Sequence, residues 1–202
     1  MVAVSKTKPA EDIRELYEAG QRDFGENYVQ ELADKQAALP EDIRWHFIGH
    51  LQSNKVKFIA PFVHLIHGVD SLKLLKEIDK QAGKLNRVIK VLLQVHIARE
   101  ETKFGMDEAE LEAALNEARS LAHVCVGGLM GMASFSSDME LVRGEFRSLK
   151  ALFDKYRQPS VPGCEWNMLS MGMSGDYTMA IEEGSTMVRI GSLLFGERTY
   201  KK

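Results

Sequence analysis

What this sequence lacks narrows its class before any motif is read. Only two cysteines occur in 202 residues, Cys125 and Cys164. They have no metal-ligand spacing, and nothing about them implies a disulfide framework. Cys125 sits in the apolar run Val124-Cys125-Val126 and Cys164 in a turn after Pro162-Gly163. Both are expected to be inert buried thiols, as free cysteines usually are, in a reducing cytoplasm. No basic run occurs and the net charge is −3, so neither nucleic acid nor a membrane surface is an expected partner. No apolar run approaches the ~20 residues of a membrane span. The start, Met1-Val2-Ala3-Val4-Ser5-Lys6, turns polar too soon for a signal peptide. There is no linker, low-complexity segment or long internal repeat.

What is present is an alternation of two textures. Eight short apolar runs read as strands: 2–6, 23–26, 45–49, 65–69, 88–97, 124–130, 167–171 and 187–190. Helical spacing follows each of the first seven, near 10–17, 28–38, 52–59, 71–83, 107–120, 138–156 and 176–183. Room remains for one short helix after the eighth. Asp107 and Asp138 are placed to cap two of these helices. Leu141, Phe146, Leu149, Leu152 and Phe153 form one apolar stripe, and Pro159 and Pro162-Gly163 close that helix. The run Lys90-Val91-Leu92-Leu93-Gln94-Val95 lacks strict alternation, as strands covered on both faces do. Strict βα repetition gives a closed barrel or an open doubly wound sheet. No GxGxxG follows the first strand, which removes the usual sign of the open sheet. The expected fold is therefore α/β, a single (β/α)8 barrel over 1–202. That is short, since ~250 residues are typical and ~200 is near the floor.

Active sites of such barrels lie at the C-terminal strand ends. That rule selects Lys6, Asn27, His50, Asp70, Ile97 to Lys103, Met132 to Ser134, Ser170 to Ser174 and Arg189 to Ser192. A lysine ending strand one projects its amine over the mouth, where desolvation and nearby cations favour the neutral, nucleophilic form. Lys8, two residues on, reads as an ordinary solvated lysine. Ser170-Met171-Gly172-Met173-Ser174-Gly175 follows strand seven, and Gly191-Ser192 follows strand eight. Glycine loops at those two positions, with a helix N-terminus, are a common phosphate cup. A lysine facing a phosphate cup suggests a phosphorylated aldehyde: pyridoxal 5'-phosphate (PLP), or a sugar phosphate in a Schiff-base aldolase. Arg189 bears on the choice, because a guanidinium donates hydrogen bonds and never accepts. Beneath a pyridine nitrogen it would leave the ring neutral. Asn27 is placed to bond a ring oxygen or to cap a helix. His46 and His50 read as structural, and the ten methionines as packing around the mouth. No metal site is expected.

Six segments together resemble the pyridoxal phosphate homeostasis proteins (the YggS/PROSC group). They are Ala3 to Pro9, Phe24 to Glu31, Trp45 to Lys55, Gly128-Leu129-Met130, Leu169 to Ser174, and Val188-Arg189-Ile190-Gly191. They stand in family order and span nearly the whole chain. The resemblance implies a barrel like the N-terminal domain of alanine racemase, without the racemases' C-terminal β-domain. It implies PLP held as a Schiff base on Lys6, phosphate around Ser170, Met171, Gly172, Ser174, Gly191 and Ser192, and Arg189 near the pyridine nitrogen. It implies a cytoplasmic role in keeping free PLP low and delivering it to PLP-dependent apoenzymes, as a monomer or weak homodimer, rather than catalytic turnover. The family normally carries a helical segment before the lysine strand. Here the strand begins almost at once, so either other residues seal the barrel floor or an upstream segment is absent.

Two enzymatic alternatives stand beside this one. A PLP-dependent amino-acid racemase needs acid–base groups on both faces of the substrate carbon, and Lys6 would serve only one. Schiff-base aldolases of this fold resemble the chain less, since their lysine lies on a later strand.

Overall fold

The computed structural model describes residues 1–99, 104–157 and 164–196. Residues 100–103, Pro159 and Pro162-Gly163 therefore lie outside the described residues. In chain order the elements are β1 (Val2–Val4), α1 (Ala10–Glu18), β2 (Asp23–Glu26), α2 (Val29–Ala38), β3 (Arg44–Phe47), α3 (Val56–Ile59), β4 (Leu65–Val69) and α4 (Leu72–Lys84). Then come β5 (Ile89–Gln94), α5 (Glu108–Ala118), β6 (Val124–Met130), α6 (Met139–Lys155), β7 (Met168–Met173), α7 (Tyr177–Glu182), β8 (Met187–Ile190) and α8 (Ser192–Phe195). The eight strands close in sequence order into a parallel barrel. β1 pairs with β2 on one side and with β8 on the other, Val2 opposite Arg189.

The expected alternation is what builds this shape. Successive strand side chains point to opposite faces. Ala3, Phe24, Trp45, Phe47, Ile66, Val91, Leu93, Leu129 and Leu169 point outward and join one large core under the helices. The inward set is different. Leu65, Leu92 and Met130, with Met132, Met168 and Met187 against them, fill one part of the lumen as a separate cluster. Met130, Met132, Met168 and Met187 thus pack inside the barrel, whereas Met106 and Met171 join the outer core. The other part of the lumen holds buried polar side chains, described below.

Helix ends follow their caps. Asp107 accepts from Glu110 N and the Glu110 carboxylate returns the bond, a complete capping box. Asp138 accepts from Leu141 N at 3.1 Å. The α6 stripe is rotated slightly from expectation: Val142, Glu145, Phe146 and Leu149 are the buried residues. Burial of Phe146 and Leu149 stabilises by roughly 1.5–3 kcal/mol each. The expected helix over 52–59 is broken into a 3-10 turn at Ser53–Lys55 and the single turn of α3.

The two cysteines overturn the expectation of free thiols: Cys125 and Cys164 form a disulfide. β6 pairs with β7 in parallel with Gly128 opposite Met168, so the segment just before β7, which carries Cys164, runs beside the start of β6. The two Cα atoms are 5.4 Å apart, inside the range a disulfide spans. A separation of 39 residues hid this neighbourhood from the sequence.

Candidate functional site

The mouth of the barrel is organised first at β1. After Val4 the chain makes a tight turn, with Lys8 N donating to Ser5 O at 3.0 Å. Thr7, the third residue of this turn, has φ 66°. That conformation suits glycine or asparagine and is uncommon for a β-branched residue. It persists because buried groups clamp the turn from below. Lys35 on α2 donates to Ser5 O at 2.7 Å, to Glu26 Oε1 at 2.8 Å and to Glu31 Oε1 at 2.7 Å. The Ser5 hydroxyl donates to Glu26 Oε1 at 2.6 Å, and Thr7 N donates to Glu31 Oε1 at 2.6 Å. Glu26 is fully buried. Burial pushes its carboxyl above the ordinary range, against the pull of Lys35. Lys6 is the second residue of this turn, half-buried just past the end of β1.

Lys8 is not the solvated lysine expected. Its amine donates to Phe195 O at 2.6 Å, at the C-terminus of α8. This ties the β1 turn to the loop after β8, from opposite ends of the chain. That loop is in turn joined to the one after β7: Gly191 N donates to Ser174 Oγ at 3.2 Å. Gly172 has φ +95°, and a Cβ there would lie 2.6 Å from Ala180 Cβ, so only glycine fits. Asp176 holds the same loop by accepting from Met173 N at 2.6 Å. Lys6, Ser174, Gly191 and Ser192 are thereby gathered at one sector of the mouth.

The remaining expected residues fall elsewhere. The Met171 side chain is buried in the outer core, so only its backbone is available at the loop. Ser170 differs from expectation. Its hydroxyl lies inside the barrel, accepting from Arg189 Nη1 at 2.6 Å and bonded to His67 Nδ1 at 2.9 Å. Arg189 also donates to Gly131 O at 3.1 Å. Burial pushes this guanidinium down to about 10, against the longer-range pull of the Asp176 carboxylate. Asn27 follows β2 without capping α2, whose N-cap is Tyr28. Its carbonyl packs so close to Gly49 that a Cβ there would stand 2.4 Å from it. Asn27 lines a cavity of about 270 Å3 with His50, Lys55 and Phe58. That cavity adjoins the Lys6 sector and does not contain it. His50 pairs with Asp70 at 2.9 Å and stacks on Phe104.

Sequence reasoning missed four supporting residues. Glu26, Glu31 and Lys35 hold the lysine turn; a lysine on the buried side of α2, four residues after Glu31, was the available signal. Glu145 is the fourth. It accepts from Ser134 N at 2.6 Å, Ser134 Oγ at 2.7 Å and Arg99 N at 3.2 Å, pinning the loops after β5 and β6. At the floor, Asp23, His46 and His64 bring three donor atoms within 4.8 Å of one another. Arg44 already donates to both Asp23 oxygens, at 2.8 and 2.6 Å, which opposes a cation there.

The closed eight-stranded parallel barrel places the chain in a class. The alanine racemase N-terminal domain family matches residues 1–199 of the chain. Racemases share the fold at low identity: a histidine racemase from Leuconostoc mesenteroides superposes with a TM-score of 0.78 at 18% identity, covering 97% of this chain and 53% of that one. Within the class, the chain belongs to the pyridoxal phosphate homeostasis protein family. It is 45% identical to the member from Aquifex aeolicus over 99% of this chain and 87% of that one, and 40% identical to the human member over 100% and 78%. PipY of Synechococcus elongatus, in a structure with PLP bound, superposes with a TM-score of 0.87 at 40% identity, covering 97% of this chain and 92% of that one. Among the described residues no helix is long and apolar enough to cross a membrane.

Proposed function

We propose that this chain binds PLP at the barrel mouth, covalently through Lys6, and serves intracellular PLP homeostasis by holding the cofactor and passing it to apoenzymes. The observation that carries this reading is Arg189. Among the described residues this buried cation makes no direct ion pair and feels only Asp176 at longer range, which is costly; in a chain 40% identical to PipY, whose structure holds PLP, it would supply a fixed donor to the ligand.

The residues present fit the group. Lys6 contributes the amine that condenses with the aldehyde, releasing water. Ser174 and Ser192, with the first N–H groups of α8, would supply neutral donors to a phosphate, and Gly191 would hold Ser174 in place through its own N–H. Gly172 and the Met171 backbone shape that loop. Asn27, on the cavity at the other flank, would bond a ring substituent. Ser170 belongs to Arg189 rather than to the phosphate. Bound PLP supplies an electron sink whose strength depends on its ring nitrogen. Arg189 keeps its own proton and so favours an unprotonated nitrogen. That weakens the sink and suits a carrier better than an amino-acid racemase.

We place the protein in the cytoplasm, where the Cys125–Cys164 bridge would be an exception to the rarity of disulfides. The test is an absorbance spectrum before and after borohydride, with peptide mapping. The expected result is an imine band lost on reduction, with the adduct on the Lys6 peptide and absent from Lys6→Ala. An unchanged spectrum in Lys6→Ala would overturn the assignment. Rapid racemisation of an amino acid by the wild type would favour the racemase reading.

A further inference from the structure

A line of buried side chains crosses the lumen from floor to mouth. Asp23 Oδ1 lies 2.9 Å from His46 Nε2, and His46 Nδ1 lies 2.9 Å from His67 Nε2. His67 Nδ1 lies 2.9 Å from Ser170 Oγ, which is 2.6 Å from Arg189 Nη1. His46, His67, Ser170 and Arg189 are each no more than 3% exposed.

Chemistry fixes the direction of every bond. Arg189 only donates. Asp23, paired with Arg44, is ionised and only accepts; the His46 and Arg44 bonds outweigh its burial and hold its carboxyl well below the usual range. His46 Nε2 must therefore carry a proton. Burial lowers both imidazoles and keeps them neutral, so His46 Nδ1 is bare. His67 Nε2 must then donate to it, which leaves His67 Nδ1 bare. The Ser170 hydroxyl donates to that nitrogen and turns its lone pair to Arg189. All bonds run one way, Arg189 to Ser170 to His67 to His46 to Asp23. Aligned bonds polarise one another in a low-dielectric interior.

We propose that Asp23 acts, through the one-way bonds of His46, His67 and Ser170, as the terminal acceptor that positions the Arg189 guanidinium. Asp176 supplies charge at longer range. A carboxylate set directly against Arg189 would satisfy it and compete with any ligand. The relay anchors Arg189 on one side and leaves its donor strength on the other. Asp23, His46 and His67 are positioning residues; none is placed at the mouth. The ligand-side consequence rests on the PLP reading above, whereas the bond directions do not.

The experiment has two arms. Nitrogen-15 NMR of the histidine rings in the ligand-free protein should show His46 and His67 neutral, both with the proton on Nε2, from about pH 8 to pH 6. A proton on Nδ1 of either ring, or a charged ring, overturns the proposal. In the second arm, Asp23→Asn keeps an acceptor oxygen and removes the charge. PLP affinity, read by absorbance titration, should fall roughly three- to tenfold, the usual range for one weakened hydrogen bond. Affinity within twofold of wild type overturns it. If the wild type takes up no PLP, the functional reading fails while the NMR arm still decides the relay. If Asp23→Asn does not fold, the NMR arm on the wild type decides.

Discussion

Replacing Lys35 by methionine tests how the lysine turn is held. Lys35 Nζ bonds Ser5 O, Glu26 and Glu31 within 2.8 Å. Methionine fills much of the same volume and removes the charge. Glu26 would then be a fully buried carboxylate whose Oε1 keeps only the Ser5 hydroxyl, and its Oε2 has no partner already. Removing one partner of a buried pair typically costs 3–5 kcal/mol. Glu26 has an escape, because it can bind a proton. From its ordinary value of 4.5, holding that proton at pH 7 costs about 3.4 kcal/mol, roughly 2.5 units at 1.36 kcal/mol each. The charge-related loss at pH 7 is therefore capped near ~3.4 kcal/mol. The sign follows from the raised folded value. A carboxyl that binds its proton more tightly when folded loses stability as pH rises from the unfolded value through the folded one. The variant raises Glu26 further than wild type, so the penalty should be small near pH 4.5 and about 2–3 kcal/mol at pH 7.5. Urea unfolding of both proteins at pH 4.5, 6 and 7.5 reads this out. A penalty that is the same at all three pH values would refute the account of Glu26 as the strained partner.

Two further outcomes follow from features outside the lumen. Replacing Cys125 and Cys164 by serine removes a link closing a loop of about 40 residues, which in the chain-entropy account costs about 4 kcal/mol; two reactive thiols in the denatured, unreduced wild type would show that the link is not made. Thr7→Asn places a residue tolerant of positive φ at the turn, so stability should rise by about 1 kcal/mol and Tm by roughly 2–4 °C. A lower Tm in calorimetry would mean that the Thr7 side chain contributes more than its backbone strain costs.

The barrel was legible because its signal is repetitive. Eight apolar runs with helical stretches between them leave few topologies, and each expected strand lies within a few residues of an observed one. The strand-end rule singles out Lys6 and Arg189 by position, and the structure places Lys6 in the turn after β1 and Arg189 buried within β8. What escaped depends on three-dimensional neighbourhood. Cys125 and Cys164 meet only because β6 and β7 are adjacent. Lys8 reads as solvated until α8 returns to it. Ser170 reads as a loop donor until strand alternation turns it inward toward His67. His67 itself sits within an apolar run, Leu65 to Val69, and looks like an isolated polar residue. Its meaning emerges only when Asp23, His46, Ser170 and Arg189 are seen on the same inner face. Glu145 likewise reads as one charge on a helix until the loops after β5 and β6 close over it.

The bond from Lys8 to Phe195 has a consequence for biosynthesis. Lys6 leaves the ribosome well before β8 and α8, the last described elements to be made. β1 cannot find its second neighbour until β8 exists. Pairings of such long sequence separation form late in folding. A nascent or truncated chain therefore has the β1 turn without the loops after β7 and β8 that brace it. For the proposed PLP site, ligand retention would then require β8 and α8 to be in place.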